Sequence, residues 1–340
     1  MINTLTRHQG WRRIAGGLLL ALGAMSIVSP SHAAGESVVL VATQKAGDRG
    51  PIDGLIDGLE QAEAEFGVTT RFIEALDPAT YETTLRTLAN RGTDVVITTF
   101  FAMGAAVQSL APEFPDTRFV VIVAAPHDPP VANARVVGYK TQENAYLSGT
   151  FAAHMSETGK IALMAGVPLP YVWADYNAFI DAASSVNPEI ETSVAFVQSF
   201  EDPVKGREIA AGLYSQAVDA IYTGAAASDI GVVDAAMESG NLVIAASPPL
   251  IDQAPEHVGF IASFEWARTL MIEAENALSL DFQSGFRLGG VDSGEIVMTF
   301  PETFAGDAAR RAAAVEATTA AYDAMANGEL VVPYDTTEPN

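Results

Sequence analysis

From Val38 onwards, short apolar runs rich in β-branched residues alternate with longer stretches of helical spacing. The apolar runs predict strands over Val38–Thr43, Thr69–Glu74, Asp94–Thr99, Phe119–Val123, Val136–Tyr139, Ile161–Ala165, Thr192–Val197, Ala220–Tyr222, Leu242–Ala246 and Val258–Ala262. Several are almost wholly apolar, as strands of a parallel sheet covered on both faces are. Between them, Ile52, Leu55, Ile56, Leu59 and Phe66 share one helical face, and Gly67 supplies the stop. Asp77-Pro78 predicts another helix start, with proline at the first helical position, and Gly92 its end. Asn144–Ser156, Asp175–Ser185, Pro203–Gln216 and Asp229–Glu238 repeat the helical signal. Strands alternating with helices imply the α/β class, with parallel sheets and right-handed crossovers.

Ten strands exceed one compact unit, so two similar lobes are expected. The chain should cross between them near Lys140–Asn144 and again after Val258–Ser263. A helix over Trp266–Ser279 returns it to the first lobe, and Phe286–Phe300 crosses back. The lobes are then residues 37–141 with about 264–288, and residues 142–263 with about 289–330. An alanine-rich helix from about Gly306 to Asn327 should pack on the outside.

The first 33 residues stand apart. Arg7, Arg12 and Arg13 precede the apolar stretch Ile14–Val28, and Ser31-His32-Ala33 offers small side chains where a signal peptidase reads. This predicts a cleavable signal peptide; the apolar run is shorter than the roughly 20 residues that span a bilayer. The chain contains no cysteine. Disulfides, thiol nucleophiles, cysteine metal sites and a lipoprotein anchor are therefore not expected. A free periplasmic protein, monomeric by default, is the simplest reading.

The formal net charge is −24. Nucleic-acid binding needs a basic footprint, and docking on anionic lipid needs one too, so neither partner is expected. A solubilising acidic surface accounts for the charge.

The first strand runs into TQKAGDRGPIDGLIDGLEQAEAEFG, Thr43 to Gly67. This is no phosphate loop, because G-x-x-x-x-G-K-[ST] is absent, and no dinucleotide fingerprint, because the glycines fall at 47, 50, 54 and 58. Gly54 and Gly58 lie inside the helical pattern, where close packing explains them. Gly47, Asp48, Gly50 and Pro51 shape a turn whose N–H groups can meet a ligand. Gln44 and Asp48 are candidate ligand contacts, although Asp48 equally suits capping of the following turn. Beyond the leader, His127, His154 and His257 are widely spaced, and no G-x-S-x-G elbow is present. The carboxylates single out no acid–base pair, so no catalytic residue, metal or cofactor is called for.

Aromatic residues gather where strands end. Phe100 and Phe101 close one predicted strand; Tyr171, Trp173 and Tyr176 follow another; Phe200, and then Phe264 and Trp266, follow two more. Open α/β sheets bind ligands at the carboxyl ends of their strands, and converging aromatics suit a flat ring.

Three segments resemble the basic membrane protein, or PnrA-like, family of substrate-binding proteins of ABC importers. SFEDPVKGREIAAGLYSQAVDAIYTGAAASDIGVVDAA, from Ser199, resembles the family's S-F-x-D-P-x-K-G segment. KTQENAYLSGTFAAHMSETGKIALMAGV is similar to its E-x-x-Y-L-x-G segment, with Glu143, Tyr146, Leu147 and Gly149 matching. RGTDVVITTFFAMGAAVQSLAPEFPDTRFVVI is similar to its G-x-D-x-V and P-D-x-x-F segment. The resemblance covers about Val38 to Phe300. It implies a type I periplasmic-binding-protein fold: two Rossmann-like lobes, three crossovers, and a ligand held in a cleft that closes by hinge bending.

The family's best-known ligands are purine nucleosides, with the base between aromatics and the ribose on charged side chains. Asp48 matches an aspartate of the family's first loop, but the following S-F-N becomes Gly50-Pro51-Ile52, which removes a stacking phenylalanine. Phe200 matches as a stacker. Ser247 stands where a ribose-binding aspartate is expected, and Trp266 replaces a ribose-contacting lysine. A bound sugar would lose those hydrogen bonds, so the resemblance points to a flat heteroaromatic ligand. A purine-type nucleobase or related compound leads, with an intact nucleoside as alternative. The expected ligand contacts are Gln44, Asp48, Phe100, Phe101, Tyr171, Trp173, Phe200, Ser247 and Trp266, and the expected partner is an inner-membrane ABC permease. A periplasmic sensor for a membrane receptor is the alternative role. An exported hydrolase or isomerase lacks a nucleophile, base or metal cluster.

Overall fold

The computed structural model describes residues 35–339; the leader expected over residues 1–33 lies outside the described residues. The chain opens with β1 (Ser37–Ala42), α1 (Pro51–Phe66), β2 (Thr69–Glu74), α2 (Tyr81–Asn90), β3 (Val95–Thr99), α3 (Phe101–Leu110), β4 (Arg118–Ile122) and β5 (Ala134–Tyr139). There follow α4 (Thr141–Met155), β6 (Lys160–Ala165), α5 (Pro170–Val186), β7 (Glu191–Phe196), α6 (Pro203–Ser215), β8 (Ala220–Gly224), α7 (Asp229–Ser239), β9 (Leu242–Ala245), α8 (Leu250–Gln253) and β10 (Val258–Phe264). The chain ends with α9 (Trp266–Leu278), β11 (Gly285–Gly289), β12 (Ile296–Thr299) and α10 (Ala308–Ala326).

The strands form two six-stranded sheets. The first has the order β11-β5-β4-β3-β1-β2 and the second β12-β10-β9-β8-β6-β7, so each step of one is repeated in the other. All pairings are parallel except β10 with β12. Buried side chains line both faces of each sheet. Val38, Leu40 and Ile97 point to the α1 and α9 side of the first, and Val39, Val41 and Val96 to the α2 and α3 side. This is why those strands read as unbroken apolar runs.

Local chemistry sets the element ends. Gly67 stops α1 in the left-handed conformation (φ 68°), its N–H reaching the Glu63 carbonyl. Asp77 Oδ1 accepts from the Ala79 N–H and opens a single 3₁₀ turn, Pro78–Thr80, ahead of α2. Asp202 and Asp307 accept from the N–H groups of Lys205 and Arg310 and start α6 and α10. A Cβ added at Gly58 would lie 2.8 Å from the Ala267 carbonyl oxygen, and one at Gly54 2.8 Å from the Trp266 Cβ. The two glycines let α1 and α9 touch along their backbones.

Three features differ from the sequence expectation. Phe286–Phe300 holds two edge strands, β11 and β12, as well as a crossing. They are four or five residues long and lack a long apolar run. Helix α3 follows β3 directly, although Phe101–Leu110 carries little helical alternation of polar and apolar positions.

The chain passes between the sheets at Lys140, at Glu265 and through residues 290–295. These crossings are braced together. The Lys140 N–H donates to the Gly289 carbonyl, the Val291 N–H to Glu143 Oε2 and the Glu265 N–H to the Glu295 carbonyl. Beneath them, Arg287 lies between Glu273 and Glu295, both carboxylates fully buried, and Thr269 joins Tyr139 to Glu295.

Candidate functional site at the facing strand ends

The first and second crossings leave the carboxyl ends of β5 and β10, so these ends point towards the opposite half of the molecule. The loop after β1 and helix α8, which follows β9, also meet, through an ion pair of 2.5 Å between Arg49 and Asp252. The carboxyl edges of the two sheets therefore face one another, with the crossings along one side.

On the first sheet, Gln44 is exposed in the bend after β1. Asp48 is occupied by backbone: Oδ1 accepts from the N–H groups of Gly50 and Asp53, and Oδ2 from that of Ile52. Asp53 returns the favour to the N–H groups of Gly47 and Arg49. Of the two roles open to Asp48, the structure fills the capping one. Phe100 is half-buried at the end of β3, and Phe101, the first residue of α3, is 65% exposed.

On the second sheet, Phe200 lies across Gly166 at the end of β6; a Cβ there would fall 2.3 Å from the ring. Ser247 is half-buried after β9, its carbonyl accepting from the Leu250 N–H. Tyr171 and Trp173 open α5 and pack on the core of that side. Trp173 meets Phe196 edge-on at 5.4 Å, and the Tyr176 hydroxyl reaches Thr192. Burial, with the Asp175 carboxylate nearby, pushes the Tyr171 hydroxyl up to about 12.

Trp266 joins a group at the crossings. Its ring meets Tyr139 at 5.4 Å and Phe264 at 5.4 Å, and those two meet at 4.3 Å. The described contacts thus place the aromatics in three groups. Trp266 and Phe264 pack with Tyr139, Phe200 covers Gly166, and Trp173 sits with Phe196.

Several features at the strand ends carry no signal in the sequence. Phe100, Val123, Gln198 and Ala226 have φ of 64°, 63°, 64° and 55°. They follow β3, β4, β7 and β8, all at carboxyl ends. A β-branched residue at positive φ is strained, and such strain collects at functional sites. No residue-type signal marks these positions. Two buried carboxylates were also passed over. Asp175 accepts from the Thr141 hydroxyl (2.6 Å), and burial holds its pKa up at about 7 against that bond. Asp229 accepts from the Thr223 hydroxyl and the Ala225 N–H, and burial holds it at about 6. Among the described residues, no group of three or more His, Asp or Glu side chains is placed to hold a metal ion. No described helix is long and apolar enough to cross a membrane.

The fold is similar to the solved structure of an ABC transporter solute-binding protein from Conexibacter woesei. The two share a TM-score of 0.72 and 21% identity, over 88% of this chain and 99% of that one. Fold and crossings together define a two-lobed α/β architecture of the type I periplasmic-binding-protein fold. Residues 36–298 match the family model of PnrA-like ABC transporter substrate-binding proteins, and the chain belongs to that family. Basic membrane protein A1 of Borrelia garinii is 26% identical over 239 residues, 69% of this chain and 71% of its own. A purine-binding protein of Brucella abortus is 31% identical over 166 residues, 45% of this chain and 43% of its own.

Proposed function

We propose that this substrate-binding protein takes up a neutral, flat heteroaromatic ligand, a purine-type nucleobase or related compound, and delivers it to an inner-membrane ABC permease. Each sheet with its helices acts as a lobe, residues 37–141 with about 264–288 against 142–263 with about 289–330. The braced crossings form the hinge. The protein works in the periplasm as a monomer, with no chemical step.

The observation that carries the ligand class is the chemistry of the facing strand ends. Phe100, Phe101 and Phe200 are aromatic. Ser247 is uncharged, and Trp266 is held among Tyr139, Phe264 and Gly54. At these positions an aromatic base finds stacking partners, and a ribose finds no carboxylate and ammonium to pair its hydroxyls. A buried hydroxyl without a partner costs about 1–3 kcal/mol. The Brucella abortus relative named for purine binding supports the same class.

The test uses ligand-stripped, refolded protein and its Phe200→Ala variant, titrated with adenine, guanine, hypoxanthine and flat vitamins. The expected result is tight binding of at least one base and a loss of roughly tenfold in the variant, the scale of one aromatic stacking contact. Equal affinity in both proteins removes Phe200 from the site. No binding of any base removes the ligand class.

A further inference from the structure

The loop between β1 and α1 is built around one outward-reaching side chain. The Arg49 backbone, at φ 50°, is pinned by its N–H to Asp53 Oδ2 at 2.8 Å. Asp48 ties Gly50, Ile52 and Asp53 on its other side. From this fixed point the guanidinium crosses to Asp252 on α8, 203 residues away in the chain, at 2.5 Å. Every other described hydrogen bond or ion pair between the two sheets' elements involves one of the three crossing segments. The pair belongs to none of those segments, and its side chains are 66% and 67% exposed.

From this position we infer that Arg49 and Asp252 form a latch across the cleft mouth, favouring the closed arrangement and tuning ligand affinity without touching the ligand. The inference rests on the reading of two lobes that close on a ligand. A latch of this kind should be weak. Exposed pairs contribute little and are screened by salt. A pair worth a twofold to fivefold shift in the closing equilibrium steadies the closed form, while a docking permease can still open it. A stronger tie would hold the ligand at the moment of release. The rigid loop matters here, because a side chain on a fixed backbone loses less freedom when it pairs. A ligand that prefers the closed form and a latch that prefers it too reinforce each other by linkage.

The chain has no cysteine, so labels can be placed cleanly. Spin labels go on Glu60→Cys in α1 and Glu208→Cys in α6, both exposed. Pulsed-resonance distances are then measured on ligand-free protein with the native pair, with Arg49→Asp, with the milder Asp252→Asn, and with Arg49→Asp and Asp252→Arg together. Both single changes are expected to lengthen and broaden the distance distribution, and the swapped pair to restore it. Affinity for the bound base should fall twofold to fivefold in the single variants at low salt, with the difference shrinking at high salt. Identical distributions in all four proteins would overturn the latch. So would a swapped pair that stays as open as Arg49→Asp. The distances need no ligand, so a failure of the ligand class and a failure of the latch are read separately.

Discussion

Asp175 is a buried carboxylate with one hydroxyl partner, Thr141, at the start of α4. Burial raises its folded pKa to about 7, well above the value near 3.8 of a free side chain. An acid whose folded pKa is raised binds its proton more tightly when folded. Its charge therefore penalises the native state above pH 7, and the penalty fades as pH falls from about 7 towards about 4. Asp175→Asn keeps an acceptor for Thr141 and carries no charge. It is expected to raise the melting temperature at pH 8, by roughly 1–4 kcal/mol of stability, and to give little gain at pH 4. Thermal melts across that range check it; equal gains at both ends would show that the Asp175 pKa is not raised by folding. Nothing in a single sequence marks this residue, since its environment comes from α4 and α5 meeting. The S-F-x-D-P motif marks Phe200 as a candidate in the sequence, whereas Trp266's aromatic neighbours were only partly legible. Phe264 is close by in sequence, but Tyr139 comes from the far end of another strand.

At the scale of elements, the crossings carry a buried network of ion pairs and hydrogen bonds. Arg287 on β11 faces Glu273 on α9 at 2.5 Å and Glu295 in the third crossing at 2.5 Å. Arg135 on β5 adds a second cation beside Glu273 at 3.3 Å. Hydrogen bonds from Arg287, Ser293 and Thr269 outweigh burial at Glu295 and hold its pKa below the usual carboxylate range. Removing one partner of a buried pair leaves the other unpaired, which costs about 3–5 kcal/mol. Arg287→Met should therefore lower stability by about that amount in urea unfolding. A change below about 1 kcal/mol would mean that water, not Arg287, satisfies the carboxylates. The strands and helices of the βα units were readable because burial on both sheet faces and helical periodicity write themselves into residue order. Strands β11 and β12 were not, because they are short edges held by neighbours distant in sequence. Helix α3 was hidden because its flank is nearly all small and apolar.

At the scale of the molecule, two sheets of one topology, joined by three braced crossings, turn their carboxyl edges towards each other. The crossings were foreseeable from strand count and from where the helices restart. The sequence pointed to a ligand only as a class, and a class is what we propose, because the choice of ligand depends on which side chains the two edges present. We propose that this cleft takes a flat base in preference to its nucleoside. Titration calorimetry on ligand-stripped protein, with each purine base set against its own nucleoside, tests that most directly. Tighter binding of the base is expected, by about fivefold to 150-fold if one sugar hydroxyl is left unpaired at about 1–3 kcal/mol. A nucleoside bound much more tightly than its free base would contradict it, and would mean that a polar pair other than positions 247 and 266 holds the ribose.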